Sequence, residues 1–453
     1  MSTVQRFFGR STTFAIAAAF GWLVFAVPNA NAVPSMARQT GYECSKCHTV
    51  FPELTRFGRQ FKLGAYAMSS EKWDAAPFLE RIPVAGLLQV SRTQTKNTNT
   101  ADAMPENFDR DRETIIQTAG FYYGGKFTHN SGALIQYNYS GLERKWGMEM
   151  VDIRYGKSRT YGKSEKELNW GVTLNNSPTL SDIYNSTPMW GFPHTDSATT
   201  MSNASALVDM TLASQVGGVG VYGLWDDSLY GEFALYHTAK RGAFRFMVLG
   251  DPTETVLDGN APYWRFAWQK ESGPHSFEVG TYGMVGKVQL DAEDESLGSD
   301  RFRDVAFDGS YQYLYGDHSV SAHATWIHEN QDWKASFPQD LSSSRSSVLK
   351  TSRADVHYFF RRQWGGGIQH FKTSGDANDM RYNMGDAVMG SANGSPNTKG
   401  WVTELNYLPI QNVKLAARFT NYSTFNGASR NYDGHGRNAR DNNSVFLLAW
   451  MLF

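Results

Sequence analysis

Five consecutive residues, Cys44-Ser45-Lys46-Cys47-His48, set two thiols three positions apart and an imidazole directly after the second. This is the attachment pattern of a c-type haem: the cysteines form thioethers with the porphyrin vinyl groups, and the adjacent histidine becomes the proximal iron ligand. These are the only cysteines in the 453-residue chain. A redox CxxC pair does not need the histidine, and a zinc site would need a second cysteine pair. The expected cofactor is therefore one covalent haem c, and the expected chemistry is electron transfer.

The flanking chain says where this chemistry would sit. Arg6 and Arg10 precede an apolar run over 13–27, followed by Pro28 and Ala30-Asn31-Ala32. This reads as a secretory signal peptide over 1–32, cut before Val33, which exports the motif to the compartment where haem c is attached. Nothing after residue 33 approaches the ~18 continuous apolar residues of a spanning helix, and the mean hydropathy is negative.

What fills the chain instead is a series of segments about ten residues long, alternating in polarity, rich in Tyr, Phe, Trp and Gly, and separated by turn residues. In one, Val413, Leu415, Ala417 and Phe419 fall on one face and Lys414, Ala416, Arg418 and Thr420 on the other. Val356, Tyr358 and Phe360 likewise oppose Asp355, His357 and Arg361, and Val151, Ile153 and Tyr155 oppose Asp152, Arg154 and Gly156. A β-sandwich also alternates, but it does not need so many aromatics near strand ends. The pattern predicts an all-β transmembrane barrel of about 16 antiparallel strands over 82–453, in the bacterial outer membrane and in contact with its lipid.

Strands are expected to start near Ile82, Ile115, Gly132, Met150, Glu167, Val216, Leu229, Tyr263, Phe277, Val305, Ser319, Arg353, Trp364, Trp401, Val413 and Ser444. Links after even strands are short and most links after odd strands are long, as expected of periplasmic turns and external loops. Two links, 141–147 and 157–166, fit this parity imperfectly. The final apolar run, ending at Trp450-Met451-Leu452-Phe453, resembles the assembly signal of outer-membrane proteins.

Residues 33–81 are too few to support a core unaided, so a haem would supply much of it. The stretch 51–61 reads as a short helix with Pro52 in its first turn and Phe51, Leu54, Phe57 and Phe61 turned to the porphyrin. Arg56, Arg59 and Lys62 could meet haem propionates, lumen acids or solvent. For the sixth ligand Met68 comes first, because a thioether raises the haem potential and can reach iron from a short loop. Met36 comes second, and a lumen histidine such as His323 or His357 third.

Ala37-Arg38-Gln39-Thr40-Gly41 leading into Cys44 to His48, then Phe51-Pro52-Glu53-Leu54, Phe57-Gly58-Arg59 and Phe61-Lys62-Leu63 ahead of a porin-length region, resembles the fused cytochrome-porins of iron-oxidising bacteria. The motif match covers about residues 37–66; the remainder agrees in architecture and length. The resemblance implies a monohaem cytochrome joined to an outer-membrane porin, taking electrons from ferrous iron outside the cell. By position, Cys44 and Cys47 would be the thioethers and His48 the proximal ligand.

The expected function is a ferrous-iron oxidoreductase whose cytochrome segment, 33–81, faces the periplasm or plugs the barrel lumen and passes electrons to a soluble periplasmic cytochrome. Two alternatives are a porin whose haem plug gates or senses, and an electron conduit for another donor or for outward reduction. Asp291, Glu293, Asp294 and Glu295, with Asp300, form an acidic external loop that could gather ferrous ions or simply be solvated. His194, His328 and His435 also fall in expected outer loops. No nucleophile elbow, HExxH or Walker loop supports a hydrolase. A formal net charge of −1 without a basic tract gives no nucleic-acid signal.

Overall fold

A computed structural model describes residues 34–50, 53–97, 111–162, 165–184, 204–238, 243–248, 254–383 and 389–453. The expected signal peptide over 1–32, together with Phe51, Pro52 and His194, lies outside the described residues. Among the described residues, no helix is long and apolar enough to cross a membrane.

Sixteen strands pair in sequence order and close into one antiparallel barrel, from β1 (Val84–Thr95) and β2 (Thr114–Thr128) round to β15 (Val413–Thr424) and β16 (Ser444–Leu452). Closure is between β1 and β16, in a register running from Leu87 opposite Leu452 to Thr95 opposite Ser444. Phe453 continues this ladder through backbone bonds to Gly86, and its ring lies over Gly86, where any side chain would collide with it. A closed ladder leaves no unpaired edge.

Several observed starts coincide with the expected ones: Val216 for β6, Leu229 for β7, Trp364 for β13, Val413 for β15 and Ser444 for β16. Three strands begin five to seven residues earlier than expected, β4 (Lys145–Tyr161), β10 (Ser299–Tyr315) and β12 (Ser346–Phe360). Their additional residues lie on the long-loop side, and in β10 and β12 these are mostly polar or charged. The link between β3 (Ser131–Ser140) and β4 is accordingly short.

Polarity is inverted relative to a water-soluble protein. Along β7 (Leu229–Thr238), Tyr230, Glu232, Ala234 and Tyr236 are buried while Leu229, Phe233 and Leu235 are exposed. Along β15, Lys414 and Arg418 are buried and Phe419 is exposed. Burying charge and exposing aromatics suits a wall with hydrocarbon outside and a polar lumen inside.

The lumen is occupied. Within the N-terminal segment, α1 (Ser35–Thr40), α2 (Cys44–Cys47), α3 (Arg56–Leu63) and α4 (Glu71–Ala75) precede β1. Gln39 accepts from the Lys126 amide on β2, Tyr66 donates to Asp152 on β4, Arg59 pairs with Glu271 of β8 (Ala261–Ser272), and Gln312 of β10 donates to Glu53. Contacts with strands all round a closed ring can be made only from within it.

A second inward segment comes from the link between β5 (Lys166–Asn175) and β6 (Val216–Trp225). Asp182 pairs with Arg265, which also holds Glu278 and Asp308 at 3.0 and 2.8 Å. The Leu207 and Val208 amides donate to Glu329 and Asp304.

Buried ion clusters of this kind add little net stability, but removing one member is costly. Arg265→Met strands Asp182, Glu278 and Asp308 together and is expected to cost about 3–5 kcal/mol. The check is the temperature at which the detergent-solubilised barrel loses its folded electrophoretic mobility. A clear fall is expected, and an unchanged temperature would contradict this reading of the network.

Candidate functional site

The cysteine pair lies on a single helical turn whose position is fixed from behind. Gly41 ends α1 in the left-handed region at φ 76°, turning the chain into α2. Thr55 then clamps two elements: its amide donates to the Cys47 carbonyl at 2.9 Å and its hydroxyl to the Lys46 carbonyl at 2.7 Å. The same hydroxyl accepts the Gly58 amide and so caps α3. Gly58 lies directly over the Cys47 carbonyl oxygen, where a Cβ would overlap it. The expected helix over 51–61 is therefore displaced to Arg56–Leu63, because Thr55 is the capping residue and Leu54 bridges to His48 in extended form.

His48 is oriented by its neighbours. Its Nδ1 lies 3.3 Å from the Glu53 carbonyl oxygen. This is the backbone partner that commonly sets the tautomer of a metal-binding imidazole and turns Nε2 toward the metal. Glu53 is itself buried, accepting from Thr49 at 2.6 Å and Gln312 at 3.1 Å and facing His323 Nε2 at 3.3 Å. Burial alone would raise its carboxyl, but the His323 hydrogen bond and the charge of His323 and His357 outweigh this and hold it well below the usual range. His323 continues to Asp355 at 2.9 Å, which lies 3.5 Å from His357.

Cys44, Cys47 and His48 line one cavity of about 200 Å³, together with Leu54, Gly58, Phe61 and Lys62. Tyr122, Leu134, Met150 and Trp450 of the barrel and Leu180 of the inward link also line it. Burial pushes both thiols up, Cys47 to about 11. The donor set fits a covalently tethered haem: two thiols on one turn, an oriented imidazole, and an apolar enclosure opening at the short-turn mouth. Two further cavities open there, sharing Glu43, Ser45 and Arg362, and the Cys44 amide donates to Gln411 in the last short turn.

The remaining expected residues divide. Met36 lines the cavity, but Met68 does not: it is 46% exposed. Left-handed residues Ala65 and Tyr66 turn the chain away after α3, and Gln39 holds the Met68 carbonyl at 2.6 Å. His323 and His357 belong to the Glu53 network, outside the lining of this cavity.

Of the three expected cations, only Lys62 lines the cavity, donating to the Leu180 and Asp182 carbonyls at 2.6 and 3.0 Å. Arg59 is spent on Glu271 and Gln312, and Arg56 on Asp227. Leu54 and Phe61 face the cavity as expected, whereas Phe57 packs edge-on against Tyr42 in the mouth.

The acidic loop does not converge on a common point. Asp291 accepts from the Glu293 and Asp294 amides, and Asp294 caps the helical turn Glu295–Leu297, its hydrogen bonds to Ser296 holding its carboxyl below the usual value. Asp300 is buried elsewhere, bonded to Ser336 and the Ala335 amide. His328 belongs to strand β11 (His318–Asp332), not to a loop, and the His435 amide donates to Asp433. Among the described residues, no group of three or more His, Cys, Asp or Glu side chains could hold a metal ion.

No protein-family model matches the chain, and a search of curated proteins finds no match. Among solved structures, it is similar to the outer-membrane channel DcaP of Acinetobacter baumannii, at 11% identity over 82% of this chain and 96% of that one, with a TM-score of 0.47. OmpF of Salmonella typhi, solved with daunomycin, gives 13% identity, coverage of 82% and 97%, and a TM-score of 0.46. For OmpT of Vibrio cholerae the figures are 10%, 82%, 97% and 0.42. The fold assignment rests on the strand pairing of this chain itself.

Two tests follow from the site. Gly58→Ala must push α3 off the Cys47 carbonyl, and at least a several-fold drop in covalent haem per folded barrel is expected, read by haem stain against protein. Undiminished loading would show that this close approach is dispensable.

The second concerns Lys62, whose ammonium is brought down from 10.5 to about 8 by burial and the nearby Arg154. Between those pH values the unfolded chain holds a proton that the folded chain has released, so Lys62 contributes a rise in stability as pH climbs, with its full cost present below 8. Hydrogen exchange of α3 amides should show that increment in the wild type and lose it in Lys62→Met. Identical pH profiles would contradict the assignment.

Proposed function

We propose that the chain is an outer-membrane c-type cytochrome in which residues 33–81 carry one haem c inside a porin-like barrel formed by 82–453. It oxidises ferrous iron outside the cell and delivers the electrons to a soluble periplasmic cytochrome. The observation that carries this reading is that Cys44, Cys47 and His48 share one largely apolar cavity within the lumen, with the His48 Nδ1 held beside the Glu53 carbonyl. The resemblance of residues 37–66 to the cytochrome-porins of iron-oxidising bacteria supports the choice of donor.

In this reading Cys44 and Cys47 would tether the porphyrin and His48 would hold its iron. When bound, the group would supply a one-electron carrier within an otherwise insulating wall, between a ferrous donor on the long-loop side and an acceptor on the short-turn side. The rest is done by the protein. Leu54, Phe61, Leu134 and Leu180 keep water from the cavity, and hydrophobic enclosure is one of the levers that set a redox potential. Lys62 holds positive charge beside the cavity below about pH 8.

Tyr42, Lys46, Arg56, Phe57 and Arg362 line the short-turn mouth where the acceptor would dock. The acidic loop Asp291, Glu293, Asp294 and Glu295 is exposed and can attract ferrous ions without binding them as a set. Outer-sphere transfer needs no fixed ligands, and ferric product formed on the long-loop side would stay outside. Free diffusion of solutes is the weaker reading, because the helical segment and the inward link both fill the lumen.

Purified, oxidised protein mixed anaerobically with ferrous iron should acquire the reduced-haem absorbance bands, one electron per haem. Cys47→Ser should lose covalent haem and the response together. A haem-loaded protein that ferrous iron does not reduce at any pH tried would exclude iron as donor.

A further inference from the structure

We infer that Met150, on the barrel wall, is the sixth ligand of the iron that His48 would hold, so that one coordination bond joins the helical segment to the barrel. The inference rests on the haem reading above and goes beyond it by naming a ligand that the N-terminal motif does not contain.

Axial ligands approach a porphyrin iron from opposite faces. His48 lines a mouth cavity with Arg361, Arg362 and Gln363, between β12 and β13 (Trp364–Gly375), and with Leu408 and Ile410 of β14 (Thr398–Ile410). Its side of the lumen is therefore β12 to β14. In a ring of sixteen strands β4 stands eight places from β12, diametrically across. Met150 lies on β4, is 2% exposed, and lines the same cavity as His48.

Four other donors lining that cavity are turned to other partners or surfaces. Lys62 Nζ donates to the Leu180 and Asp182 carbonyls, and the Tyr66 hydroxyl donates to Asp152 at 2.6 Å. Tyr122 packs with Cys44 around Leu87 and Trp450, on the tether side. Met36 has its terminal methyl over Gly124 of β2, 3.3 Å from where a Cβ would stand, which directs it into the wall. Tyr42, Glu43 and Gln136 also line the cavity but offer hard oxygen or amide donors, whereas Met150 is a soft, flexible thioether in apolar surroundings, suited to haem iron.

The consequence is structural as well as electronic. A wall ligand would keep the helical segment in the lumen and tie the haem potential to correct docking.

The test uses full-length protein carrying Met150→Leu, which preserves volume and apolarity, with Met36→Leu as comparator and Met150→His as a second variant. Each is scored for folded mobility, covalent haem, the thioether-to-ferric-iron charge-transfer band in the near infrared, and midpoint potential. The expected result is that wild type and Met36→Leu show the band, whereas Met150→Leu loses it and moves to lower potential with haem content unchanged. Met150→His should give a bis-histidine spectrum.

A band that persists in Met150→Leu, one lost only in Met36→Leu, or none in the wild type overturns the inference and leaves the haem reading standing. Absence of covalent haem from the folded wild type overturns both.

Discussion

A cylinder with an apolar outside and a charged inside must either fill with water or answer its own charges, and this protein answers them. Arg154 is matched to Asp152, Arg265 to Asp182, Glu278 and Asp308, and Arg418 to Glu404, all deeply buried. The wall alone does not complete these sets. Asp182 comes from the inward link, Ser181 of the same link gives its carbonyl to Arg154, and the Lys62 carbonyl of α3 lies near Arg154 as well. Unpaired charge at so buried a position costs several kcal/mol per ion. The helical segment and the link are thus held in the lumen by the electrostatic requirement of the wall around them.

That requirement places the chemistry. Once Arg59, Tyr66 and Gln39 are committed to β8, β4 and β2, the turn carrying Cys44 and Cys47 can lie only at the short-turn end, with its cavity reaching from the mouth toward Met150 on the middle of β4. Leu180 of the inward link also lines this cavity. The site therefore has two unlike approaches: an open mouth lined by Lys46, Arg56 and Arg362, and an inner boundary built of packed protein. Such asymmetry suits directional electron transfer better than solute passage.

How much of this was legible beforehand follows the range of the interactions. Period-two alternation is local and repeats along each strand, so Val216, Leu229 and Ser444 could be read directly as strand starts. The expected starts of β10 and β12 fall late because Asp300, Arg301, Arg303 and Asp304 in the one and Ser346, Ser347, Lys350 and Ser352 in the other continue the ladder with polar and charged residues. The thiol pair and His48 are likewise a local pattern.

Glu53 carried no such signal. Its importance comes from His323 and from Gln312, which is 259 residues away, and only the closed ring brings these groups together. Met68 was favoured for its proximity in sequence, yet two left-handed residues after α3 take it to the surface. Met150 lies far along the chain from the motif, and no spacing rule reaches it.

The central claim is that Cys44 and Cys47 are not thiols in the mature protein but thioethers of a haem seated in the lumen. Its most direct test is the intact mass of the chain isolated from the outer membrane of cells able to mature c-type cytochromes, measured with and without alkylation under denaturing conditions. The account predicts a mass raised by one haem and no alkylation at either cysteine. A chain at its bare polypeptide mass, taking up two alkyl groups, would contradict it.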